Sequence, residues 1–135
     1  MRAVTPNLHV AKVFVKNADE LIPRIKGDFQ LVQGECWEEV AFAALLALRS
    51  FERGTNRART LGGELLLRLS GRLQIKDAIA ERGVRDGENY LVVFGSEKRT
   101  RELLLELDLE ELPVDDCEKE KLKTFFEKAA LVEVL

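Results

Sequence analysis

Residues 40–48, Val-Ala-Phe-Ala-Ala-Leu-Leu-Ala-Leu, are apolar without interruption, and the charges around them sit only at the two ends, as Glu38, Glu39, Arg49, Glu52 and Arg53. The composition predicts a helix from about Trp37 to Arg53, ended by Gly54. Such a helix is apolar on every face across its middle, so it must lie inside the domain rather than on it. Ala41, Ala43, Ala44 and Ala47 allow neighbouring elements to approach it closely, and acids first with arginines last suit the helix dipole. Trp37 at its start is expected in the core. The run is far shorter than the roughly 20 residues a membrane span needs. The first eight residues carry no apolar core either, so neither a signal peptide nor a membrane span is read here.

The rest of the chain must therefore be arranged to cover that helix. At 135 residues and 46% hydrophobic content the chain can bury one sizeable core, which predicts a single domain over 1–135. Leu8, Val10, Val13 and Val15 mark a first strand, with His9 as a strand residue near the sheet surface. Asn17 is placed to cap a short helix through Ile25, stopped by Gly27. A second strand is expected over Phe29–Gln33, ended by Gly34. Thr60 can cap a helix to about Leu69, and Ile75, Ala78 and Ile79 give a second helix over Leu73–Arg82, making a helical hairpin. Tyr90–Phe94 is nearly all β-formers and suggests a central strand. Ser96 begins a helix toward Leu107. Beyond Pro113, Asp115 with Glu118 resembles a capping box for a last helix carrying Leu122, Phe125, Phe126 and Ala129. The expected class is α/β of the α+β kind: a small mixed β-sheet of about three to four strands packed with several helices around one buried Ala-rich helix.

Catalytic chemistry is hard to assemble from these residues. There is one histidine, and the two cysteines, Cys36 and Cys117, lack neighbouring ligands at metal spacing. Sparse cysteine usage points to a reducing, cytoplasmic setting. No phosphate-binding loop of the Walker type is present, and Gly62-Gly63 lacks the strand and third glycine of a dinucleotide-binding turn. Asp115 with Asp116 and Asp77 with Glu81 have sufficient structural explanations, so no metal and no cofactor are assigned. Gly95-Ser96, followed by Lys98, Arg99 and Arg101, is open to two readings: a plain helix cap, or a phosphate seat that a small enzyme could use.

Charge supplies the stronger lead. From Arg49 to Arg85 nine basic residues face four acids, whereas Glu102–Leu135 carries four lysines against eleven acids. Basic middle and acidic end suit different partners. Arg53, Asn56, Arg57, Arg59 and Thr60 gather where one helix ends and the next begins, with the orphan N–H groups of the Thr60 helix close by. Arg72, Lys76 and Arg82 on the hairpin's second half could extend that surface, and Asn56 and Gln74 could read base edges or ribose hydroxyls. Gly62-Gly63 is expected to loosen the first turn of the helix beneath.

Three linked patterns in this region carry a resemblance: Asn56-x-Ala58-x-Thr60-Leu61-x-x-Glu64-x-Leu66, Leu69-x-Gly71-x-x-x-Ile75-x-x-Ala78 and Gly83-Val84-x-Asp86-Gly87. Together with the Ala-rich helix before and the strand after, they resemble the small kinase-binding subunit of the KEOPS complex. The resemblance implies a non-enzymatic accessory subunit that binds the N-terminal lobe of the complex's kinase-like ATPase and grips the single-stranded 3′ end of tRNA. The complex makes threonylcarbamoyladenosine next to the anticodon. It further implies Asn56, Arg57, Arg59, Thr60, Gln74 and Lys76 as the RNA surface, with Arg72 and Arg82 added from their place on the hairpin. Leu131, Val132 and Val134 in the apolar tail are the candidates for the partner interface; that tail reads as a strand, as packing onto its own domain, or as a sticky patch, and leaves homo-oligomerisation open. A protein-protein adaptor without RNA contact is the other reading of the same features.

Overall fold

The computed structural model describes residues 1–134, with the side chains of Ala130, Val132, Glu133 and Val134 outside that description. Strands β1 (Arg2–Thr5) and β2 (Leu8–Val15) form a hairpin; helix α1 (Ala18–Leu21) continues as a 3-10 turn over Ile22–Arg24. Then follow β3 (Phe29–Val32), α2 (Trp37–Arg53), α3 (Leu61–Ser70), α4 (Ile75–Arg82), β4 (Gly87–Val93), α5 (Glu97–Glu106), β5 (Glu110–Leu112) and α6 (Lys119–Val134). Among the described residues no helix is long and apolar enough to cross a membrane.

The sheet has five strands, and the pairings β1–β2, β2–β4, β2–β5 and β3–β4 are all antiparallel rather than mixed. β2 and β4 lie at the centre. β1 and β5 share the outer edge of β2, β1 alongside Leu8–Val10 and β5 alongside Lys12–Phe14. Both are additions to the expected strands, and each is short and charged, so it reads as loop until β2 offers it an edge.

Alternation along the strands divides the core in two. Leu8, Val10, Val32, Tyr90 and Val92 face α2, α3 and α4, while Val13, Val15, Leu31, Leu91 and Val93 face α1 and α5. The expectation for α2 is met. Val40, Ala43, Ala44 and Ala47 are fully buried, with the sheet below, α3 beside and α6 laid across α2 and α3. Phe42 and Phe126 make the aromatic contact between α2 and α6, 4.3 Å between ring centres. Trp37 is half-buried, its indole N–H donating to Asp116 at 2.9 Å.

Several local expectations need correction. Asn17 makes no side-chain cap; Asp86, brought in from the start of β4, accepts the Ala18 N–H at 2.7 Å instead. His9 is buried, not near the surface, and its Nδ1 meets the Gly95 carbonyl at 2.9 Å. α4 starts at Ile75, leaving Leu73 outside it. The Asp115–Glu118 capping box does not form, because Asp115 turns to Lys12 at 2.7 Å. The tail is helical through Val134 rather than a strand. Finally, Cys36 and Cys117, for which no pairing was read, are joined as a disulfide across 81 residues.

Candidate nucleic-acid interface

Glu64 is the residue from which the basic loop is built. It sits in the first turn of α3, fully buried, and its Oε1 accepts the backbone N–H groups of Arg57 at 2.8 Å and Ala58 at 2.9 Å. Its Oε2 takes the Arg68 Nε at 3.1 Å, one helical turn on and equally buried. A buried carboxylate is tolerable only with such partners. Two further side chains finish the loop: Asn56 Nδ2 donates to the Ala58 carbonyl at 2.9 Å, and Thr60 Oγ1 accepts the Gly63 N–H at 3.0 Å as the cap of α3. Asn56 and Thr60 therefore hold the loop's shape. Each side chain already makes one hydrogen bond within the loop, which changes the role expected of it.

The glycine pair also has a different function from the loosening expected. A Cβ at Gly63 would lie 3.1 Å from the Ala58 Cβ and 3.2 Å from the Ile75 Cδ1, so its absence lets the loop and α4 close onto α3. A Cβ at Gly62 would meet the Gln30 Oε1 at 2.5 Å. The first turn of α3 is packed tightly.

These approaches enclose a cavity of about 560 Å³. Its rim is Arg57, Arg59 and Thr60; its walls are Leu66 of α3, Ile75 and Ile79 of α4, Val84, and Ile22 and Ile25 across the free side of β3, with Gln30 among the lining residues. Ile22 and Ile79 are each 52% exposed, a high figure for isoleucine. An apolar slot with a cationic rim suits a flat ring that carries a phosphate.

The other expected residues separate into two groups. Arg59, Gln74 and Lys76 are exposed and, among the described residues, their side chains make no hydrogen bond or ion pair. Gln74 and Lys76 flank Ile75 at the head of α4, beside the cavity. Arg82, by contrast, is turned inward to the buried Glu39 of α2 at 3.3 Å and to the Gln33 carbonyl. Arg72 bonds Glu81 at 2.9 Å, which raises the guanidinium's pKa and lowers that of the Glu81 carboxyl below its usual range. Neither lines the cavity; of the proposed RNA residues Arg57, Arg59 and Thr60 line it, Gln74 and Lys76 are chain neighbours of the lining residue Ile75, and Asn56 holds the loop. Leu131 on α6 is 52% exposed. Val132 and Val134 continue that helix, and their side chains lie outside the described residues.

Sequence reasoning missed the walls and Gln30. The signal was present: Gln30 is the polar residue inside Phe-Gln-Leu-Val, on the side of β3 where Val32 is buried. At Gly95-Ser96 the structure favours the simple reading, with Ser96 Oγ accepting the Arg99 N–H at 3.1 Å and the Arg99 side chain bonding Asp28. Among the described residues no group of three or more His, Cys, Asp or Glu side chains could hold a metal ion.

Comparison with known proteins covers nearly the whole chain. The family model described as "Kinase binding protein CGI-121" matches residues 15–134. The chain belongs to the CGI-121 family. A curated relative, the KEOPS complex subunit Cgi121 of Pyrococcus abyssi, is 42% identical over 135 aligned residues, covering 95% of this chain and 78% of its own length. The matched span includes the Asn56–Gly87 patterns, and within this CGI-121 chain the structure shows that many of those residues shape the loop and hairpin: Asn56, Thr60, Glu64, Ala78 and Asp86 are all engaged or buried.

Proposed function

We propose that this chain is a non-catalytic subunit of a KEOPS complex that binds the kinase-like ATPase and holds the single-stranded 3′ end of tRNA in the cavity beneath the basic loop, while the complex makes threonylcarbamoyladenosine. Family membership and the named relative support the kinase-binding, KEOPS part of the reading. The RNA part rests on one observation: an apolar slot of about 560 Å³ rimmed by Arg57 and Arg59, with Lys76 beside it, in a chain whose net charge is -3. Cations gathered at a ring-sized apolar slot match an unstacked nucleotide, whose phosphate and base need both kinds of surface. The kinase-like partner is assigned to α6, where Leu131 is presented to solvent.

The test uses tRNA and the same tRNA lacking its 3′-terminal nucleotides, with the chain alone and with its kinase partner. Trimming is expected to abolish retention. Arg57→Glu and Lys76→Glu are each expected to weaken binding and to reduce the slope of log affinity against log salt by about one, since each removes a phosphate contact. Thermal unfolding of each variant checks that the fold is kept. Copurification with the kinase, but equal retention of intact and trimmed tRNA, would replace this reading with that of a protein-protein adaptor.

A further inference from the structure

We propose that the Cys36–Cys117 disulfide is a redox-active site, a substrate for a dithiol reductant, and that its reduction releases α6 from the body of the domain. The bond joins two different environments. Cys36 is buried at the N-cap of α2, where its side chain makes no cap, and Cys117 is half-buried in the segment that leads into α6. Cys117 is therefore the end open to a thiolate. Attack there forms a mixed disulfide and expels Cys36 as a thiolate, which carries away the electron pair of the S–S bond. That leaving group is well placed. It emerges where the first-turn N–H groups of α2 point, and a helix N-terminus stabilises a thiolate. The two acids of that turn are engaged elsewhere, Glu39 with Arg82 at 3.3 Å and Glu38 with the Cys117 N–H at 2.7 Å. The dithiol's second sulfur then displaces Cys117, so two electrons and two protons pass to the protein and the reductant leaves as its own disulfide.

α6 depends on that bond more than a helix of 16 residues would suggest. Among its described side chains Ala129 alone is buried; Leu122, Phe125 and Phe126 are half-buried, and Phe126 meets the domain at Phe42. The Lys128 stem lies over Gly71, where a Cβ would come within 2.9 Å of it, and its ammonium reaches Glu81 at 4.0 Å. So narrow a stripe removes little apolar surface from water. At the root of α6 three hydrogen bonds flank the disulfide: the Trp37 backbone N–H to the Asp115 carbonyl at 2.9 Å, the Trp37 indole to Asp116 at 2.9 Å, and the Cys117 N–H to Glu38. Water competes for such bonds near the surface. The covalent link holds their partners together at high effective concentration, and without it each can open separately. β5 stays paired to β2, so the release begins after Leu112.

The experiment treats the full oxidised chain with dithiothreitol in the absence of denaturant, alkylates the thiols with iodoacetamide, and follows amide hydrogen exchange by mass spectrometry. Two alkylated cysteines are expected, with exchange across α6 faster by about tenfold while β2 and β4 keep their protection. A Cys36→Ala/Cys117→Ala double variant should exchange like the reduced chain and ignore the reductant; should it fold poorly, the reduced wild-type chain carries the test. A disulfide that yields thiols only in denaturant, unchanged exchange at α6 after reduction, or a loosening spread equally over every element overturns the inference. Its consequence for binding rests on the assignment of the kinase-like partner to α6 above, and a separate arm tests that: reduction should weaken kinase association by about tenfold. Release of α6 with kinase association undiminished supports the redox release and overturns the assignment of the partner to α6.

Discussion

At the scale of single residues, the site depends on a side chain that no ligand would touch. Glu64 is buried, yet it fixes the Arg57 and Ala58 backbone and neutralises Arg68. Glu64→Ala leaves Arg68 buried beside a missing carboxylate and two loop N–H groups without their acceptor. It should cost about 3 kcal/mol or more of stability, measured by denaturant unfolding. Arg59→Ala, a few residues away and exposed, should cost almost none. The sequence made this loop visible as a cluster of basic residues, but not the division of labour within it. Asn56 and Thr60 looked like ligands because a polar side chain beside a helix start can serve either as a cap or as a ligand. Only the placement of Ala58 and Gly63 shows that their hydrogen bonds are already made.

At the scale of elements, legibility followed the strength of the periodic signal. α2 and β4 were readable because each has a continuous apolar run that must be buried, and β2, β3 and α3 followed from alternation and helical spacing. β1 and β5 were not, because Arg-Ala-Val-Thr and Glu-Glu-Leu form strands only where β2 supplies hydrogen-bonding partners; such tertiary effects override propensity. The segment between β5 and α6 is held in the same way, by contacts across the chain. Asp115 accepts from Lys12 and donates its backbone N–H to the Tyr90 hydroxyl at 3.2 Å. The hydrogen bond from Asp115 raises the Lys12 pKa above 10.5, and burial raises the Tyr90 pKa above 10.0. Both groups hold their protons more tightly folded than unfolded. Their contribution is therefore complete below pH 10 and is lost as pH climbs through the raised values. Chemical denaturation across pH 8–12 should show a flat profile and then a decline beginning near pH 10, and Lys12→Met should make that decline shallower.

At the scale of the whole molecule, the feature furthest from sequence reach was the disulfide, since two cysteines far apart do not indicate whether the fold brings them together. Closing 81 residues restricts the unfolded chain severely, and Cys117→Ser should lower stability by about 4 kcal/mol, read as a fall in Tm that reductant reproduces in the wild-type chain. The bond also gives the chain a topology. From Cys36 to Cys117 the backbone is a covalently closed ring that contains α2, the basic loop, the α3–α4 hairpin, β4, α5 and β5, while α6 trails outside it. A break in any surface loop of the ring leaves its two fragments tied together. Pulling on α6, the helix assigned to the partner, loads Cys117 and through it the start of α2, so force applied at the partner side enters the molecule at its most deeply buried helix and bypasses the slot at the other end of the hairpin.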